Sequence, residues 1–201
     1  MDSFNKLVEF FKQFPGTGPR QARRFAYFLL AQDKETLSRF SKEIETLKDS
    51  VSQCPDCFLY FTRKNGPLCA VCSASSTDRK TLMIVEKDVD QEALRKSDTY
   101  KGLYFILGGL LPILEKDPAE KIRIRELVAR IKKLSENGLT EIIIALSANP
   151  EGENTAEYVR RTIAPLAPKV KITTLGRGLS TGTELEYSDS DTLSHALKNR
   201  G

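Results

Sequence analysis

The chain has 201 residues, 40% of them hydrophobic and 29% charged, with a formal net charge of +4. That is an ordinary balance for a folded protein with room for one sizeable core and smaller modules. No apolar run reaches the roughly 18 residues of a membrane helix, and MDSFNKLVEF lacks the apolar stretch of a signal peptide, so a cytoplasmic protein without membrane partners is expected.

The positive excess is local. Residues 1–53 carry 9 basic and 7 acidic side chains, residues 54–80 carry 4 and 2, and residues 81–201 carry 18 of each. An anionic partner is therefore expected near the start of the chain.

In chain order, Phe4, Leu7, Val8 and Phe11 repeat at helical spacing. Phe14-Pro15-Gly16-Thr17-Gly18-Pro19 then breaks that helix, because two prolines and two glycines cannot continue it. A second helix follows with Ala22, Phe25, Ala26, Leu29 and Leu30 on one side, and a third runs from about Lys34 to Ser50 with Leu37, Phe40, Ile44, Leu47 and Val51 as its stripe.

The turn between the first two helices is a candidate helix–hairpin–helix. Gly16 and Gly18 let the backbone approach a phosphate, and the amides that open the second helix supply donors and a favourable dipole. Arg20, Arg23 and Arg24 share a face of that helix and can flank one phosphate run. Backbone contacts of this kind give sequence-independent, salt-sensitive DNA binding. The plainer reading is a helical corner with a solvated basic face.

All the cysteines follow within 19 residues, as Cys54-Pro55-Asp56-Cys57 and Cys69-Ala70-Val71-Cys72 with 11 residues between the pairs. Two CxxC turns complete a tetrahedron of sulfur, the geometry of a structural Zn²⁺ with no open coordination position. Two disulfides would need an oxidising compartment, and a redox site would need only one pair. Tyr60, Phe61 and Arg63 lie between the pairs; base stacking is one role for them, and shielding the metal is the commoner one.

From Thr81 the texture alternates between strands and helices. Leu82–Val85, Leu103–Leu107, Glu141–Leu146 and Val170–Leu175 read as strands; residues 120–136, about 153–166 and Thr192–Lys198 read as helices. Such alternation predicts a mainly parallel sheet with right-handed crossovers. Gly176-Arg177-Gly178 and Gly182 lack the lysine of a phosphate loop, so nucleotide hydrolysis is not expected. His195, the single histidine, reads as a surface residue.

PGTGPRQARR, the four cysteines, IVE, YKGLYFILGG, ANPEGENTAEY, RGLSTGTELEYSD and TLSHAL occur in this order and together resemble the bacterial RecR family over essentially the whole chain. The resemblance implies an α/β multi-module fold: a helix–hairpin–helix region over 1–53, a four-cysteine zinc finger over 54–78, a Toprim domain over 79–175 and an assembly segment over 176–201. It implies non-enzymatic DNA binding in recombinational repair, with RecO and in some bacteria RecF, to load RecA on single-stranded DNA coated by SSB. It also implies a ring-like homo-oligomer that can encircle DNA. By position, Arg20 and Arg24 match the family's basic hairpin residues, and Cys54, Cys57, Cys69 and Cys72 its metal ligands.

Catalytic Toprim enzymes hold Mg²⁺ with a glutamate after one strand and an Asp-x-Asp after another. Here Glu86 ends a strand in the position of that glutamate, with a water-facing carboxylate as its plain reading. The second element reads Ala148-Asn149-Pro150-Glu151-Gly152-Glu153, with Asn149 in place of the first aspartate and a loop two residues shorter than the usual RecR form. The acidic cluster is therefore degenerate; Glu86, Asn149, Glu151 and Glu153 are expected at this site, and Glu151, Glu153 and Glu157 are candidates for contact with a basic partner. Phe105 replaces a common histidine on what is expected to be the same partner face. The competing functions are a Mg²⁺-dependent Toprim nuclease or topoisomerase-like enzyme using Glu86 and Glu151, and a protein adaptor whose arginines are merely solvated.

Overall fold

Aspartates start two of the first three helices. In the computed structural model, which describes residues 2–63, 66–114, 117–176, 178–179 and 181–198, Asp2 caps α1 (Ser3–Lys12) by accepting the Asn5 N–H at 2.8 Å. Asp33 caps α3 (Lys34–Ser50) by accepting the Thr36 N–H at 2.8 Å. Between them α2 (Pro19–Leu30) begins with proline at a position where a missing N–H costs nothing. These helices form the first of two compact units, residues 1–51 and 52–201. Val8 and Phe11 of α1 bury against Ala22 and Ala26 of α2, whose small side chains let the helices approach closely. The expected α3 stripe is present, but no α3 residue is buried, and Phe40, Ile44 and Leu47 are 48%, 58% and 58% exposed.

After α3 comes a two-stranded sheet, β1 (Val51–Gln53), whose first residue ends the first unit, and β2 (Tyr60–Thr62), followed by one turn of helix, α4 (Ala70–Ser73). Then come β3 (Asp78–Val85), α5 (Asp88–Lys96), β4 (Gly102–Ile106), α6 (Pro118–Lys121), α7 (Ile124–Ser135), β5 (Glu141–Ala145), α8 (Pro150–Ile163), β6 (Lys171–Thr174) and α9 (Ser190–Lys198). Short 3-10 turns lie at Ala164–Leu166 and Leu185–Tyr187. The main sheet is wholly parallel in the order β4-β3-β5-β6, with Val85 opposite both Ile106 and Ala145. Its central strands are near-continuous apolar runs because both faces are covered. On one face Leu82, Ile84, Leu103, Phe105, Ile142 and Ile144 pack with Leu127 and Ile131 of α7 and Val159 and Ile163 of α8. On the other, Met83, Val85, Tyr104 and Ile106 meet Phe58, Leu59 and Val71 of the cysteine module and Leu94 of α5.

Three expectations need correction. The helix expected over 120–136 is two, because the chain turns extended at Ile122 and the Arg123 N–H bonds the Leu107 carbonyl at 2.9 Å. The helix expected over 153–166 starts at Pro150 and ends at Ile163. Helix α5 has no counterpart among the expected elements: only Val89, Ala93 and Leu94 are apolar in it, too few for a stripe.

The strand order reverses direction at β3, which sends its chain to β4 on one side and ultimately to β5 on the other. In open parallel sheets, sites form outside the carboxyl ends of the strands flanking such a point. Glu86 and Asn149 follow the adjacent strands β3 and β5.

Candidate functional site

The four cysteines are buried, free and close: all four Sγ atoms lie within 4.8 Å of one another. Four sulfurs around one tetrahedral ion with metal–sulfur bonds of about 2.3 Å would stand about 3.8 Å apart, so the donor set fits a single metal ion. Cys57 and Cys69 are 3.5 Å apart at sulfur, and the Cys69 N–H points at the Cys54 sulfur at 3.5 Å. The Cys57 thiol is pushed up by its hydrogen bonds to Cys69 and Cys72 and by burial, and Cys69 is pulled down by its hydrogen bonds with Cys57 and Cys72. A cation would relieve this crowding by taking the thiolates as ligands. Leu59, Phe61, Leu68 and Val71 shield the cluster. Tyr60, in contrast, is 59% exposed, and Arg63 is exposed, so shielding accounts for Phe61 only.

Three consecutive residues fasten this module to the sheet and its covering helix. Asp56 accepts Arg130 of α7 at 2.8 Å, with Lys133 at 3.9 Å; the Cys57 carbonyl accepts the Ile106 N–H at 2.9 Å. Phe58 stands edge-on to Phe105 at 5.4 Å and lies under the Arg123 guanidinium at 5.2 Å. Phe58 holds φ at 65°, a left-handed conformation that a bulky residue adopts only when its surroundings impose it. In the sequence, Asp56 is visible only as a spacer in CPDC, and Arg130 only as a charge on an amphipathic helix.

In the first unit, Gly16 has φ of +73°, which is what the reversal between α1 and α2 requires. Gly18 is the N-cap of α2 and offers no side-chain cap, leaving the first amides of the helix open. Arg20, Arg23 and Arg24 are exposed, and none of them is in an ion pair among the described residues. The structure thus brings five of the expected DNA-facing residues, Gly16, Gly18, Arg20, Arg23 and Arg24, to one turn and the helix it starts.

At the carboxyl ends of β3 and β5 the plain alternative for Glu86, a carboxylate facing water, is not found. Glu86 is 6% exposed, and both its oxygens are engaged: Lys87 Nζ lies 2.5 Å from Oε1, and the Ser147 hydroxyl donates to Oε2 at 2.8 Å. Asn149 caps α8, its Oδ1 accepting the Gly152 N–H at 2.7 Å. Glu151, Glu153 and Glu157 are exposed on α8. Phe105 is fully buried in the core beneath α7 and α8, so it cannot belong to a partner-facing surface. His195 is half-buried on α9, and Arg177 lies outside the described residues. Lys87 and Ser147 are the residues that sequence reasoning misses here. Neither carries a pattern, and the loop brings Ser147 to Glu86 only after β5 pairs with β3.

Family models match this chain in three consecutive stretches: the RecR helix-hairpin-helix over residues 4–48, a Toprim domain over 80–176 and the RecR C-terminal segment over 178–200. Recombination protein RecR of Chlorobium luteolum is 35% identical over 198 residues, spanning 98% of this chain and 96% of the relative. The chain belongs to the RecR family. RecR of Dehalococcoides mccartyi is 37% identical over 196 residues, covering 98% of this chain and 92% of its own, and RecR of Lactobacillus acidophilus is 34% identical over 194, covering 96% and 94%. The RecR match therefore takes in the hairpin, the cysteine module and the Toprim fold together. No helix among the described residues is long and apolar enough to cross a membrane.

Proposed function

We propose that the protein is a non-catalytic, DNA-binding mediator of recombination. The carrying observation is the α2 start: an uncapped helix N-terminus after a glycine turn, with Arg20, Arg23 and Arg24 exposed beside it. Open amides and guanidiniums converge on the phosphate backbone and read no bases, so single- and double-stranded DNA are both ligands. Zn²⁺ in Cys54, Cys57, Cys69 and Cys72 fixes the finger to the Toprim sheet and, with four sulfur ligands, has no position left for chemistry. Family membership supports the finer role: action with RecO, and with RecF in some bacteria, to load RecA on SSB-coated single strands.

Self-assembly supplies what one hairpin lacks. Three arginines on one helix bind weakly, and copies held together multiply that binding. Phe40, Ile44 and Leu47 on α3, with Leu185, Tyr187 and Leu197 near the C-terminus, leave apolar surface for such contacts. The Toprim enzyme alternative is not favoured, because Glu86 and Asn149 already satisfy their oxygens internally.

Fluorescence anisotropy with labelled single-stranded and duplex oligonucleotides tests the reading. The Arg20→Ala/Arg24→Ala variant should bind roughly 10-fold or more weakly, the scale of two lost charge-assisted contacts. Undiminished binding would rule out the hairpin mechanism. Cleavage or relaxation of supercoiled DNA with Mg²⁺ or Mn²⁺, abolished by Glu86→Gln, would establish an enzyme instead.

A further inference from the structure

The Toprim fold implies a divalent cation between its carboxylates, and the two strand-end positions, Glu86 and Asn149, do not fit one. Mg²⁺ requires oxygen ligands near 2.0–2.1 Å in octahedral order, drawn from at least one free carboxylate. Here the buried Glu86 carboxylate has an ammonium on one oxygen and a hydroxyl donor on the other. The Asn149 amide oxygen faces the Gly152 N–H and holds the helix start. The side-chain oxygens at the two expected ligand positions, 86 and 149, are thus each met by a donor of the protein itself.

We propose that Lys87 is a built-in cation: its ammonium occupies the Glu86 oxygen that a divalent ion would have to bind, closing the carboxylate to metal. Several features support this. The Lys87–Glu86 contact is 2.5 Å, short even for a charge-assisted hydrogen bond. Glu86 is almost wholly removed from water, where an unpaired carboxylate would be costly, and the Lys87 ammonium is the positive charge in contact with it. Lys87 is adjacent in sequence and its backbone N–H is fixed by the Asp90 carboxylate at 2.9 Å, so the side chain starts from a set position. Glu86 is also tied on its other oxygen: through Ser147 it fastens the end of β3 to the segment after β5. An arriving divalent ion would meet a neutral pair and a like charge at contact distance.

The inference builds on the non-catalytic reading of this face but fails separately from it. DNA cleavage would overturn that reading, whereas Mn²⁺ held at Glu86 without cleavage would overturn only the role of Lys87. The experiment is a Mn²⁺ titration, followed by water-proton relaxation, of Zn²⁺-saturated full-length protein without DNA. Wild type and Glu86→Gln should give the same background. Lys87→Ala and Lys87→Gln should each gain a site roughly 10-fold or more tighter than background, the effect of removing a like charge at contact distance, and adding Glu86→Gln should abolish it. The Lys87 side chain is 62% exposed and its Asp90 bond is made by backbone, so both variants keep the fold. A wild-type site lost in Glu86→Gln, or no gain in either Lys87 variant, overturns the proposal.

Discussion

The Cys57 carbonyl accepts the Ile106 N–H at 2.9 Å, so a candidate metal ligand also pairs the outer strand of the main sheet. Strand β4 is an edge, and an uncovered edge is a template for unwanted pairing. Metal removal should therefore be felt beyond the finger. With a chelator, amide exchange should accelerate at Ile106 as well as across residues 54–72. Unchanged protection at Ile106, with the finger unprotected, would separate the two.

Arg130 is 6% exposed and its Nε and Nη2 have no partner among the described residues, so Asp56 is its main compensation. Truncating Asp56 to Ala leaves that charge buried and should cost about 3–5 kcal/mol in urea unfolding. The double variant Asp56→Leu/Arg130→Leu should recover most of the loss, since it removes the stranded charge with the pair. Equal instability of the single and double variants would argue that the pair does not matter as a pair.

At Gly152, an added Cβ would fall 1.9 Å from the Ser147 carbonyl oxygen, which is backbone and cannot swing aside. Gly152→Ala should therefore destabilise by about 1–3 kcal/mol or more and lower the thermal midpoint. Asn149→Asp, by comparison, should be nearly neutral because both residues cap helices equally well, and Asn149→Ala should cost about 1 kcal/mol. A large loss from Asn149→Asp would mean that Asn149 is more than a cap.

Burial pushes the Tyr100 hydroxyl up, and it does the same to Tyr104. A folded pKa above the unfolded value contributes stability fully present below the ordinary tyrosine range, about 10, and lost as pH rises beyond it. Of six tyrosines, two should resist ionisation until the sheet unfolds. Tyrosinate absorbance should then show a late step that coincides with loss of circular dichroism; a single early step with the fold intact would contradict this. Tyr104 has no hydrogen-bond partner for its hydroxyl among the described residues, so Tyr104→Phe should be neutral or stabilising by up to ~1 kcal/mol.

DNA affinity should fall linearly with salt on logarithmic axes, and each arginine of the hairpin that loses a phosphate should lower the slope by about 1. A slope unchanged in Arg20→Ala would place its charge off the DNA.

Periodicity and spacing carry most of the architecture, because strands buried on both faces are written as unbroken apolar runs and metal-type cysteines as close pairs. Less is legible where a polar residue decides the local structure. Arg123 splits one helix by bonding back to Leu107 and Ile106, and α5 is held by Leu94 and a buried Gln91 rather than by a stripe. The position of Glu86 along the chain can be read from the sequence but its surroundings cannot, since Lys87 beside it gives no sign of turning back onto it. The α3 stripe illustrates the converse: apolar periodicity reports that a face seeks cover without saying whether this chain provides it.

The first unit rests on Val8, Phe11 and two alanines, whereas seventeen side chains are buried in the larger core of the second. Warming should accordingly loosen the helical hairpin unit before it disturbs the cysteine module or the parallel sheet. Oligonucleotide in excess should then postpone that first melting step and leave the later one where it was.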